Sequence, residues 1–502
     1  MKGARQLILS GGIGKLIGVL RELLLAAIYG TGAPAAAWRV AQSSTLIPIQ
    51  FFTADALAAG FLPNHSRLLS QDPRRAYVLY QVVNRFMLAV GVLLTIAVGV
   101  GHSVIIGLLA PGLDAPTTHL AASMLFVMTI AVPLYLSANM ASYVEMSCGR
   151  FHLAARRPSL QSIGLITGTI AAWLLHRPIL LAWGFTGAYA YMAAIGLFSV
   201  RRLTRDERRG GPVEGFGTRE ALALFWRSVR PVLLVPIASQ GALAVERIVA
   251  SLVSSSSVAA LEYARLVSDT ANVLVAAPIG LAVLANFGHM THDEARPILT
   301  SLLERTFVVL IPLSWVLTVG ARPITEIVFQ RGEFNASSTA VTAEILAGLS
   351  LGLWAQVGGY ICVKSLNATG RNKDAAISVI CGALVWIAAD LLLFHWIGAA
   401  AIGVGASTGA IVQLGVSAAL SDATGWPGQT LVRYVPMSVV AAGLWIIGLF
   451  VVPDRLPLQI GMTTLVGVMI LATIVADPHL RRQAVALTRA AARPSAEATP
   501  AS

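Results

Sequence analysis

Apolar runs of about 20 residues follow one another along this chain with short polar connections between them, and each is long enough to cross a ~30 Å hydrocarbon core as helix. We count about fourteen such runs. Their centres lie near Ile17, Ile47, Ala97, Ile130, Thr167, Ala190, Val235, Ala276, Leu310, Gly352, Val385, Ala406, Ala442 and Val466. Runs of this length and continuity predict an all-α polytopic membrane protein. Along the first run, Gly11, Gly14, Gly18 and Arg21 share one face, with Lys15 and Glu22 on the same side. A stripe of small residues predicts close approach of another helix.

Composition sharpens this picture. Of 502 residues, 56% are hydrophobic and 12% charged, more apolar surface than one soluble core can use. The first run carries Lys15, Arg21 and Glu22 and leads straight into another, so it is expected to stay in the membrane as a helix and not to be removed as a signal. Cys148, Cys362 and Cys381 fall in or beside spans without metal-like spacing and read as packing residues. His289, His292 and Asp293 read as a solvated polar turn in preference to a metal site, and no metal is expected. The stretch GVGASTG, Gly403 to Gly409, has glycines like a phosphate loop but lacks the following Lys-Ser/Thr and lies inside an apolar run, so it reads as helix packing.

Charge sets the topology. Lys2, Arg5, Arg67, Arg74, Arg75, Arg150, Arg156, Arg157, the run from Arg201 to Arg219, Arg296, Arg371, Lys373 and the tail arginines fall in alternate connections. The other set holds Arg177, Arg322, Arg331 and Arg455. The positive-inside rule then places both termini in the cytoplasm and makes the span number even. The net charge of +12 is dispersed over loops without recognition elements, which argues for contact with membrane lipids and against nucleic acid. The longest polar connection separates the halves, giving an N-terminal six-helix lobe over 1–200, a basic cytoplasmic linker over 201–222, a C-terminal six-helix lobe over 223–422, two additional helices over 423–478 and a basic, disordered tail over 479–502.

Within the two halves, arginine recurs where lipid is expected. Arg21 and Arg39 in the first hairpin are matched 226 positions later by Arg247 and Arg265 in a second. Odd spans match odd spans, so the repeat is parallel, and substrate sites of such transporters lie between repeats. A charge at bilayer depth costs about 2.5 kcal/mol or more and normally faces a protein interior or a wet cavity. The alternatives are snorkelling of Arg21 to the headgroups and a purely structural ion-pair network involving Glu246, Arg247, Glu262, Arg265 and Asp269. Asp55 and Asp390 are further carboxylates at depth, able to neutralise arginine or carry a coupling cation. No nucleophile-base pair or nucleotide motif is present, so a transporter is expected and not an enzyme.

Several segments in order also resemble one family. GKLIGVLRELLLAAIYGTG, FFTADALAAGFLPNHSRLL, LLAPGLD, VERIVAS and ARPITEIVFQRGEFNASSTAVTAEIL resemble the MurJ/MviN-type lipid II flippases of the multidrug/oligosaccharidyl-lipid/polysaccharide exporter superfamily, over the first twelve spans. The resemblance implies two six-helix lobes plus two C-terminal helices, in the bacterial inner membrane. It also implies a cationic cavity for a polyprenyl-pyrophosphate-linked glycan lipid. Carried over by position, Lys15 and Arg21 match family basic residues, and Arg265 lies one position from another. Glu246, with carboxylates near Asp390, matches acidic residues associated with monovalent cation binding.

The departures are Ile49 and Gln50 in place of a basic pair, Ala36 in place of an acid, and Ala54–Asp55 in place of Glu-Gly; Arg39 is an extra charge. The expected function is a flippase that carries the headgroup by alternating access. Substrate contacts are expected from Lys15, Arg21, Arg39, Arg247 and Arg265, and coupling from a monovalent cation at Glu246, Asp390 or Asp55, or from membrane potential. No cofactor is expected, and the working unit is expected to be a monomer. Rival readings are a surface-glycan repeat-unit flippase, a drug/cation antiporter, a membrane glycosyltransferase or polymerase, and a non-transporting envelope scaffold.

Overall fold

The structure is a computed structural model that describes residues 2–483 apart from 54–55, 206, 208–214, 231–233, 288–289, 291, 423–426 and 451–455. Its described elements are all helices. The chain divides into two compact units, residues 1–262 with 329–338, and residues 263–328 with 339–502.

The first unit holds α1 (Lys2–Tyr29), α2 (Ala33–Thr53), α3 (Ala56–Gln71), α4 (Pro73–Leu109), α5 (Ala115–Thr129), α6 (Ala131–Ser147), α7 (His152–Leu174), α8 (Leu180–Leu203), α9 (Thr218–Val229) and α10 (Leu234–Val253). It also takes the start of α11 (Ser255–Phe287), most of which belongs to the second unit. There follow α12 (His292–Val319), α13 (Ala321–Phe329), α14 (Ala336–Leu351), α15 (Leu353–Ala368), α16 (Asn372–Ile397), α17 (Ala400–Leu420), α18 (Pro427–Phe450) and α19 (Leu456–Ala476). Helices α4, α8, α12, α16, α17 and α19 are each long and apolar enough to cross a membrane, as are α5–α6 and α14–α15 taken as bent pairs. This is an all-helical, multi-pass membrane protein.

The two bends fall at Ile130 and Gly352, the positions that hydropathy marks as span centres. Each has an identifiable cause. In α5–α6, bent by 44°, Pro133 has no N–H to give the Thr129 carbonyl, and that carbonyl accepts instead from Thr95 Oγ1 of α4 at 2.9 Å. In α14–α15, bent by 46°, Ser407 Oγ of α17 enters the ladder. It accepts from Gly352 N at 2.8 Å and donates to Gly348 O at 2.6 Å, bridging the i→i−4 pair that the bend opens.

Both bent spans then end alike. Gly149 (φ +72°) and Gly370 (φ +79°) take the left-handed conformation that a side chain resists. Arg150 N reaches back to Glu145 O, and Arg371 N to Leu366 O, both at 2.8 Å, closing the six-residue ring of a Schellman cap. These landmarks recur 221 or 222 residues apart. The hairpin arginines recur at 226, so the second copy is four or five residues shorter between its second and fourth spans.

The glycine stripe of α1 packs as expected. A Cβ on Gly14 would lie 3.0 Å from Pro158 Cβ, and one on Gly18 3.7 Å from Ser162 Oγ, both on α7. Turn 110–114 seats on the end of α10, where Gly112 N donates to Ser251 Oγ at 3.3 Å. Segment 329–338 clasps the α1–α2 turn through Glu333 N to Ala27 O at 2.9 Å and Thr31 Oγ1 with Ser338 Oγ at 2.8 Å. Helix α9 is an element that periodicity did not predict; its buried Ala221, Phe225 and Val229 face α3 and α4.

In the second unit the core centres on Leu303, Phe307, Ile361 and Leu414. Helix α18 joins it through Tyr434 Oη, which donates to Val308 O at 3.1 Å, and accepts from Trp315 Nε1 through Ser438 Oγ at 2.9 Å.

Candidate functional site

Alanine makes the first site possible. Ala35, Ala36, Ala37 and Ala41 on α2 are fully buried, and among them Arg39 is only 2% exposed. An unpaired guanidinium there would be prohibitive. Glu22 of α1 supplies the countercharge. Its Oε2 accepts from Arg39 Nη2, and its Oε1 accepts from Arg21 Nη2 at 2.5 Å and Arg21 Nε at 3.1 Å. Arg39 Nη1 also reaches Gln42 Oε1 at 3.3 Å.

Two guanidiniums thus share one carboxylate, leaving one net positive charge. The space enclosed with Leu25, Trp38 and Thr169 is about 10 Å³, room for one water at most. Arg39 is fixed inside this knot. The Arg21 side chain is 21% exposed and is the member able to meet a ligand.

From Trp38 an aromatic column runs through Phe185 (centroids 6.1 Å) and Tyr189 (4.7 Å) to Tyr135 (4.8 Å). At its far end stands Arg157. The charge pattern places it in a connection among the loop arginines, and here the structure differs. Arg157 lies in the second turn of α7, its Nη1 donating to Asn139 Oδ1 at 2.5 Å, its Nη2 donating to Tyr135 Oη, and its guanidinium 4.8 Å from the Tyr135 ring centroid. Position in sequence beside Arg150 and Arg156 hides this; Asn139 and Tyr135 at i, i+4 on the preceding span are the signal that shows it.

In the second hairpin the polarity reverses. Arg247 on α10 donates to Glu262 on α11, with side chains 9% and 25% exposed. The first copy has the acid on its first helix, and the second copy has it on its second. Glu246, beside Arg247, is fully buried.

In the second unit Arg265 stacks over Trp386 of α16, 5.6 Å from the ring centroid. One turn on, Asp390 is fully buried. A Cβ on Gly405 of α17 would come within 2.8 Å of the Asp390 carboxyl carbon, so this glycine of GVGASTG makes room for a carboxylate, while Gly403 lies against the backbone of α14 and the motif packs helices as expected. Trp386 was not among the expected residues.

Lys15 is exposed, Ile49 is fully buried, and Gln50 is half-buried. Asp55 and His289 lie outside the described residues. Among the described residues no three His, Cys, Asp or Glu side chains cluster to hold a metal.

A family model described as "Lipid II flippase MurJ" matches residues 25–451. The chain belongs to the MurJ lipid II flippase family. This MurJ-family chain is 26% identical to a probable lipid II flippase MurJ of Synechocystis sp., over 72% of its own length and 70% of the relative's. It is also 26% identical to the one of Rhizobium meliloti, over 88% and 84%.

Among solved structures, a lipid II flippase MurJ in an inward closed conformation superposes with TM-score 0.78 at 19% identity, covering 94% of this chain and 99% of that one. An inward-facing multidrug resistance MATE transporter of the MOP superfamily superposes with TM-score 0.67 at 15% identity, covering 82% and 94%. At these identities the likeness is one of fold. The MurJ family is a family of transporters and not of enzymes.

Proposed function

We propose that this MurJ-family chain is a flippase of the bacterial cytoplasmic membrane, with both termini in the cytoplasm. It carries an undecaprenyl-pyrophosphate-linked glycan precursor of the lipid II class to the outer leaflet by alternating access. The observation that carries this reading is the α1–α2 knot, where two guanidiniums on one largely buried carboxylate leave a surplus positive charge. A pyrophosphate is the anion such paired donors match best. Arg21 is the contact residue there, while Arg39 sets its charge and position through Glu22. Arg247 and Arg265 extend the same chemistry. Glu246 and Asp390 are the carboxylates for a coupling monovalent cation, and the membrane potential adds about 2.3 kcal/mol per charge per 100 mV.

A second reading, a surface-glycan repeat-unit lipid, is favoured by one observation. Ile49 and Gln50 stand where the family carries a basic pair, and Ile49 is sealed in the core. Both readings are tested on the purified full-length chain in liposomes. Arg21→Gln should slow translocation of a fluorescent polyprenyl-pyrophosphate glycan at least about tenfold while leaving the chain folded. No translocation above protein-free liposomes by the wild-type chain would discard the transport reading, and unchanged rates in Arg21→Gln and Arg247→Gln, both monodisperse, would discard these arginines as headgroup contacts. The sugar composition of co-purified lipid decides between the two substrates.

A further inference from the structure

Helix α4 is longer than a membrane requires. The roughly 24 residues from Arg85 to Leu109 cover about 36 Å as helix, more than a ~30 Å hydrocarbon core, so Arg85 sits at the level of the headgroups. Its basic start, capped by Asp72 with Arg74 and Arg75, belongs to the cytoplasmic side by the charge rule. Arg201, in the last turn of α8, lies at the same side. Helices α4 and α8 both pack on α6, and between their cytoplasmic ends a cavity of about 400 Å³ remains.

The walls of this cavity are chemically specific. Arg85 of α4 and Arg201 of α8 both line it, with Tyr77, Gln81, Asn84 and Thr204, and no carboxylate does so. Gln81 Nε2 donates to Tyr77 Oη at 2.8 Å, which holds both side chains in place. The Asn84 amide oxygen is buried without a hydrogen-bond partner among the described residues, an acceptor waiting for a hydroxyl or an ammonium. Deeper along the same helices Leu93 (66% exposed) and Ile96 (58%) of α4, and Phe198 (58%) of α8, face the hydrocarbon. A solvated positive-inside arginine needs none of this.

We propose that this cavity binds the phosphodiester of an anionic, hydroxyl-bearing lipid of the cytoplasmic leaflet. Arg85 and Arg201 grip the phosphate from opposite walls, Asn84 accepts from the headgroup hydroxyl, and the acyl chains lie along the exposed apolar faces. The site belongs wholly to the first unit and does not depend on which glycan is transported.

The test is native mass spectrometry of the intact chain in detergent with phosphatidylglycerol, phosphatidylethanolamine or inorganic phosphate. Phosphatidylglycerol should remain bound, and R85Q/R201Q should lower its retention about tenfold or more. R74Q/R202Q removes the same charge from the same two helices outside the cavity and should change retention less than about twofold. Leu197→Trp fills the cavity without touching charge and should match R85Q/R201Q, which keeps the test decisive if the double variant does not fold. Inorganic phosphate that binds wild type, displaces the lipid and is lost in R85Q/R201Q would uphold the phosphate site while assigning it to a soluble anion. Equal loss in both double variants, no loss in either, or full retention in Leu197→Trp would overturn the proposal.

Discussion

In the first copy of the repeat, Gly168 of α7 faces Gly184 of α8 so closely that a Cβ on Gly184 would lie 2.7 Å from Gly168 Cα. In the second copy the helices α16 and α17 meet in the same way, but Asp390 stands 222 residues after Gly168, and its carboxylate lies over Gly405. One hairpin uses the contact to pack two backbones. Its counterpart uses the space left by one glycine to bury a charge-bearing group between them. The lesson is that a duplicated scaffold gains chemistry at a packed helix crossing and not only in its loops. The arginine hairpins differ in a related way, since Glu22 is sealed between two guanidiniums whereas Glu262 meets Arg247 with its side chain 25% exposed.

That contrast can be broken most forcefully at the ion pairs. Glu22→Gln leaves two guanidiniums facing each other in a dry knot and should cost about 3–5 kcal/mol. Glu262→Gln should cost about 1 kcal/mol or less, because water reaches that carboxylate. Thermal unfolding of the two variants in one detergent measures the difference, and equal losses would remove the distinction between the copies.

Next in size are the glycines. Gly184→Ala and Gly405→Ala should each cost about 1–3 kcal/mol by overpacking. Only the second should be relieved by shortening a side chain, so Gly405→Ala combined with Asp390→Ala should recover most of its loss. Absence of that recovery would mean that backbone contact limits both crossings alike. Asp390→Asn keeps the shape and tests what the charge does. We expect a fold as stable as wild type and transport about tenfold slower, with its dependence on cation or voltage altered; unaltered coupling would return Asp390 to a packing role.

The smallest effect lies in α18–α19, which has no counterpart in the first copy. Arg433 donates to Asp477 Oδ2 at 2.5 Å just past the end of α19. That hydrogen bond, with those from the backbone of Leu480 and His479, holds the Asp477 carboxyl below the usual carboxylate range. Its stabilising contribution is therefore present above the unfolded value of about 3.9 and fades as the pH falls through the lower folded value. Asp477→Asn should flatten the acid limb of the unfolding temperature against pH.

Much of the architecture was legible in the sequence because hydropathy over twenty residues reports membrane helices directly. The bends at Ile130 and Gly352 were not, since a window that averages hydropathy passes over Pro133 and is blind to a hydroxyl arriving from α4 or α17. Arg21, Arg39, Arg247 and Asp390 stood out as charges at depth, and Glu22 was visible on the right face of α1. That Glu22 binds Arg39 depends on how closely two helices approach, which the run of alanines in α2 permits but does not announce. Arg157 was hidden by its loop-like neighbours, and its trace in the sequence was Tyr135 and Asn139 one turn apart on the preceding span, the groups that it meets.

The clasp formed by 329–338 has a consequence for the gene. The α1–α2 turn is completed by residues encoded after α13, and the turn at Gly112 by Ser251 of α10. A fragment cut at the basic connection would therefore carry two open wounds that its own chain cannot close.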